Sequence, residues 1–167
     1  MNIPTQFTDD SHYQNTIIKH SRRLVGYFNY GTDSQRMDFG SLQHRNKNGF
    51  ADCSSLVWLV MKQAGYNVGQ TAFSTPEMEN DAKNAHQYFR QIHAKNVKPG
   101  DIVIVNVGTG YVQMATQQLL MVHITQKNAN YRNRWNRSNG FGPSVNNCAI
   151  FSKLLKEGRI TYARPTK

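Results

Sequence analysis

Residues 49–66 read GFADCSSLVWLVMKQAGY, and the rest of the chain is most simply arranged around them. Leu56, Val57, Val60 and Ala64 follow Cys53 by three, four, seven and eleven residues, the spacing that gathers side chains on one face of an α-helix. Cys53 therefore belongs to the first turn of a helix, on the face that enters the core. Asp52 or Ser54 is placed to cap the amides at the helix start, and Gly65 is an ordinary C-terminal stop. The positive end of a helix favours an anion, which lowers a thiol pKa toward neutrality and makes Cys53 a candidate nucleophile. The competing reading is a packed thiol, because cysteine often behaves as a small buried hydrophobe.

Upstream of this helix, residues 13–24 carry Ile17, Ile18 and Leu24 at helical spacing. A short aromatic segment, Val25, Tyr27, Phe28 and Tyr30, closes at Gly31, and residues 32–48 are polar enough to read as a loop able to fold over a cleft. Downstream, Ser74 or Thr75 caps a third helix expected from Pro76 to Phe89, with Pro76 at its first position and Glu77 and Glu79 in its first turn. Lys98-Pro99-Gly100-Asp101 is a turn, followed by an apolar, β-branched strand over 102–107. Residues 119–125 alternate as a strand, with His123 facing away from Val122 and Ile124. The stretch 128–147 is rich in Asn, Arg and Gly, 148–155 is apolar, and Ile160 to Arg164 closes as a strand before Pro165. Helices come first and strands later, with hairpin-sized connections, which is the pattern of an α+β fold with an antiparallel sheet. Residues 1–12 are expected to be a mobile N-terminus and 13–167 a single domain.

Composition narrows the function. No apolar run approaches the length that spans a bilayer, and no secretory signal is visible at the start. The two cysteines, Cys53 and Cys148, do not form a disulfide framework, and with scattered histidines they show no paired spacing for a closed zinc site, so no metal or cofactor is expected. The net charge of +10 calls for an acidic partner surface, and nine Lys or Arg against one acid, Glu157, fall in residues 127–167. Of the six histidines, only His123 sits inside an expected strand with apolar neighbours, so it is the candidate base for a Cys53 thiol.

Taken in order, Asp52-Cys53-Ser54-Ser55, the helix ending Ala64-Gly65-Tyr66, the Pro99-Gly100-Asp101-Ile102-Val103 segment and a strand histidine at 123 resemble the NlpC-type superfamily of papain-like cell-wall hydrolases. The twin serine and Phe73-Ser74-Thr75 resemble its phage-type peptidoglycan amidase branch, with CHAP amidases as near relatives. That resemblance implies a papain-like α+β fold, with N-terminal helices carrying Cys53 as nucleophile packed on an antiparallel sheet carrying His123 as general base and then acid. It implies Asp52 and Ser54 as supports of the substrate or the helix start, and the backbone N–H of Cys53 in the oxyanion hole. Tyr30, in Phe28-Asn29-Tyr30-Gly31, stands near where relatives carry a tyrosine, and Asn136, with Asn130 next, is the expected partner that orients the histidine. The stretch 110–120 is longer than the usual link into the histidine strand.

The resulting expectation is a cysteine hydrolase that cuts an amide of bacterial peptidoglycan, as N-acetylmuramoyl-L-alanine amidase or stem-peptide endopeptidase. It would act as a monomer outside the cytoplasmic membrane, on a wall whose anionic polymers attract the basic C-terminal region, with no nucleic acid partner. Two alternatives stand beside it: a non-catalytic module on the same fold that binds wall or polyanion, and a cysteine amidase toxin acting on a different amide.

Overall fold

The computed structural model describes residues 16–21, 23–24, 27–31, 33–98, 100–105, 121–123 and 160–166; for 30, 105 and 121–123 the description is of the backbone. The expected mobile N-terminus at 1–12, the long link at 110–120 and the segments 128–147 and 148–155 lie outside the described residues. Residues 16–21 are helical (α1), with Ile17 and Leu24 wholly buried behind it.

The central element is α2, Cys53–Gln63. Every residue from Cys53 to Met61 is buried, so the helix is enclosed on all sides rather than half-exposed. Its start is a capping box: the Asp52 carboxylate accepts from the Ser55 amide at 2.8 Å while the Ser55 hydroxyl accepts from the Asp52 amide at 2.9 Å. Its end is a Schellman turn in which Gly65, at φ +92°, donates to Lys62 and Tyr66 donates to Met61. Truncating Leu56 or Leu59 to Ala here would cost about 2–5 kcal/mol, the range for a cavity left in a packed core.

Two sheets contribute side chains to the core that encloses the helix. The first has the order β1-β3-β2, built from Asn29–Tyr30 (β1), Met37–Gly40 (β2) and Arg45–Ala51 (β3), with β1 parallel and β2 antiparallel to β3. The polar loop expected over 32–48 is therefore a correction: it holds a 3-10 turn at Asp33–Gln35 and this hairpin. Its strands are largely solvent-facing, which is why their sequence is polar. Only Phe39, Gly49 and Ala51 are buried within β2 and β3, and a Cβ on Gly49 would overlap the Asp38 carbonyl oxygen beside the bulge. Phe39 lies between Phe28 and Trp58, with ring centroids 5.7 and 6.1 Å away, and fastens the sheet to α2.

The second sheet is antiparallel throughout, in the order β4-β7-β5-β6. It comprises Phe89–Ile92 (β4), Asp101–Val105 (β5), Met121–His123 (β6) and Ile160–Pro165 (β7). The strands expected around 102–107, 119–125 and 160–164 are present within the described residues, whereas β4 was not foreseen. It replaces the end of the third helix, which runs only Thr75–Asn80 (α3) before a π-turn at Asp81–Ala85. The cause is Asp81: its carboxylate accepts from the amides of Gln87, Tyr88 and Phe89 at 2.8–2.9 Å. Those three amides are lost to a helix, His86 turns left-handed at φ 53°, and Phe89 enters the sheet fully buried.

The molecule is thus α+β, with the cysteine at the head of the central helix and the histidine on the outermost described strand of the antiparallel sheet. Among the described residues no helix is long and apolar enough to cross a membrane.

Candidate active site

Cys53 is the first residue of α2 and has no solvent exposure. Its Sγ lies 3.4 Å from the Thr75 hydroxyl, at the start of α3, so the thiol is covered by the chain segment that leads into that helix. Burial pushes the thiol pKa up to about 12, and the Asp52 carboxylate adds to the rise. The Thr75 hydroxyl, the Ser54 backbone and the Arg36 guanidinium oppose it. The expectation that the helix terminus brings this pKa toward neutrality is corrected accordingly: desolvation of the buried thiolate is the largest influence and raises the pKa.

Asp52 and Ser54 belong to one cluster whose hub is Arg36, a residue that sequence reasoning left in the polar loop. Arg36 donates from Nε to Asp52 Oδ2 at 2.7 Å and from Nη2 to Asp52 Oδ1 at 3.3 Å. The same Nη2 donates to Ser54 Oγ at 2.8 Å and to the Phe73 carbonyl at 2.7 Å, and Nη1 reaches the Ala72 carbonyl at 3.1 Å. Ser54 in turn donates to Asp52 Oδ1 at 3.2 Å. Both carboxylate oxygens of Asp52 are thereby occupied. One planar cation ties the turn before β2, the head of α2 and the segment that carries Thr75 into a single unit. The signal for this is weak in sequence, because two of the four groups that Arg36 holds are backbone carbonyls.

His123 ends β6 and is in register with Asp101 on β5. Asp101 is fully buried and accepts two hydrogen bonds from Arg164 of β7, at 2.9 and 2.8 Å, and one from the Lys98 amide at 2.7 Å. Asp101 therefore pins the strand that neighbours the histidine strand. Tyr30 lies on β1, next to Ala51 of β3 in register, just before the cysteine helix. Asn136 and Asn130 lie outside the described residues. The structure thus unites Cys53, Asp52 and Ser54 with Arg36 and Thr75, and puts the backbones of Tyr30 and His123 on separate sheets.

No curated protein matches the chain. The sequence profile of the NlpC/P60 family matches residues 27–140, from β1 through the cysteine helix and past the histidine strand. Members of that family are typically cysteine peptidases acting on cell-wall peptidoglycan. With more than half of its length matched, the chain belongs to the NlpC/P60 family.

Proposed function

We propose that this protein hydrolyses an amide bond in the peptide part of peptidoglycan, with Cys53 as nucleophile, His123 as general base and then acid, and Asn136 orienting the imidazole. The observation that carries this reading is the position of Cys53 at the head of a buried, doubly capped helix inside the matched segment. With burial raising the thiol pKa, attack would proceed with proton transfer to His123 in the same step rather than from a standing thiolate. The carbonyl oxygen would gain negative charge beside the backbone N–H of Cys53, at the positive end of α2. His123 would return the proton to the leaving amine, and water would then release the acyl group from sulfur. Asp52, Ser54 and Arg36 would keep the helix head in place, and Tyr30 would stand at the edge of the cleft. The reading takes the chain to be a monomer working on the wall outside the cytoplasmic membrane, as amidase or as endopeptidase.

Full burial of Cys53 also favours a second reading, a module that holds wall material without cutting it. One pair of proteins separates the two. Wild type and Cys53→Ala are incubated with purified peptidoglycan and the soluble fragments are weighed by mass spectrometry. Fragments from wild type alone are the expected result; release that survives the substitution sinks the cysteine mechanism, and no release from either protein favours the binding module. Fragment masses also tell peptide freed from muramic acid apart from a cut stem peptide.

A further inference from the structure

Among the described strands β4 lies at one side of the antiparallel sheet and β6, with His123, at the other. Beside β4, the 3-10 turn Ala94–Asn96 and the residues up to Lys98 enclose an open cleft of about 510 Å³. Its charged and titratable lining is Arg90, His93, Lys95, Lys98 and Arg164, and no Asp or Glu lines it. Arg164 is held within the wall of the cleft by Asp101 and the Asn96 carbonyl. Arg90, Lys95 and Lys98 are exposed and form no ion pair among the described residues. Three exposed cations around one concave surface, with a buried guanidinium below them, form a site of single sign that attracts an anion able to meet several of them at once.

We propose that this cleft binds a phosphodiester-linked polyol of the bacterial wall, with Arg90, Lys95 and Lys98 each meeting phosphate oxygens. Repeated phosphates on a flexible neutral backbone suit cations spread along a strand and the turn after it, and the arginine fork adds two-point recognition. A single-stranded nucleic acid fits less well, because such ligands gain much of their affinity by stacking on aromatic rings and no Phe, Tyr or Trp lines the cleft. The site lies two intervening strands away from β6, so a wall polymer held there leaves the proposed peptide cleft open. It gives the expected attraction to anionic polymers a defined surface around β4, to which the C-terminal basic stretch contributes Arg164. The choice of a wall polymer rests on the proposed wall substrate.

The test uses peptide-free poly(glycerol phosphate) as probe, with single-stranded DNA of equal charge beside it, and compares wild type with the Arg90→Gln/Lys95→Gln/Lys98→Gln variant by calorimetry at low and high salt. Wild type is expected to bind the polymer at least about tenfold more tightly than the variant, with the gap narrowing as salt rises. Equal polymer binding by the two proteins overturns the site, as does no polymer binding by wild type. DNA bound as tightly as the polymer through the same three residues also overturns it, in favour of a nucleic-acid cleft. Circular dichroism checks that the variant folds; if it does not, Arg90→Gln and Lys95→Gln singly give the same reading at smaller amplitude. Hydrolysis of polymer-stripped peptidoglycan is measured in parallel and is expected to be equal in both proteins. Polymer binding without hydrolysis by wild type would defeat the enzymatic reading and leave this one standing.

Discussion

Arg164 grips Asp101 and Arg36 grips Asp52, each through a forked pair of hydrogen bonds, yet the two pairs hold different kinds of structure. Arg164 and Asp101 join regular strands 63 residues apart and are almost dry, with side chains 10% and 0% exposed. Arg36 and Asp52 join a turn, a helix head and a loop, and Arg36 keeps 20% of its side chain in solvent. The first pair closes a sheet; the second sets the cover over a thiol. Similar chemistry therefore contributes mainly to stability in one place and to the access of a reactive group in the other.

The largest effect should come from breaking the drier pair. Asp101→Asn leaves the Arg164 guanidinium buried without its counter-charge and is expected to cost about 3–5 kcal/mol, read as a lower urea midpoint. A loss under about 1 kcal/mol would mean that water reaches the pair and that the contrast with Arg36 is not one of burial.

Arg36→Gln should cost less, about 1–3 kcal/mol, while changing the thiol more. In a Cys148→Ser background, native Cys53 should react with iodoacetamide at least about tenfold more slowly than the unfolded chain, because burial both raises the thiol pKa and keeps the reagent out. Arg36→Gln releases the carbonyls of Ala72 and Phe73, loosens Thr75 over the sulfur and is expected to speed alkylation. Arg36→Lys keeps the charge but loses the fork, and should behave like the Gln variant. Full restoration by Lys would show that charge alone governs the thiol.

The smallest effect belongs to a cationic cluster around His20. His20 has its pKa lowered from 6.5 by partial burial and then by Arg23, Arg45 and Lys19. Its folded pKa lies below the unfolded one, so the unfolded chain takes up the proton first. Stability should be full above about pH 6.5, decline as pH falls through that value and level off below the folded pKa. His20→Gln should flatten that part of the curve of melting temperature against pH; an unchanged slope would place the titrating group elsewhere.

These pairs also mark what could be read from the chain alone. The Cys53 helix was legible because its apolar spacing, its Asp52 cap and its Gly65 stop are all local. The strands around 102–107 and 160–164 were legible as β-branched or alternating runs. Arg36 was not, because its partners lie 16 to 37 residues away and half of them are main-chain oxygens. The early end of α3 was hidden for the same reason: Asp81 meets amides brought back by a turn that helical periodicity does not encode. The hairpin of β2 and β3 was missed because strands facing solvent carry the composition of loops.

The position of β7 has a consequence for synthesis. Among the described residues β4 joins the sheet through β7 alone, and β7 also flanks β5, so β4 waits for a partner made some seventy residues later and β5 for one made some fifty-five to sixty later. During translation the helix that bears Cys53 emerges long before that partner does. The sheet is completed only once residue 165 has left the ribosome, and such long-range closure is slow. Between the synthesis of residue 101 and that of residue 160 a nascent chain would therefore hold β4 without β7 and the Asp101 carboxylate without Arg164, and the sheet would close only when β7 arrives.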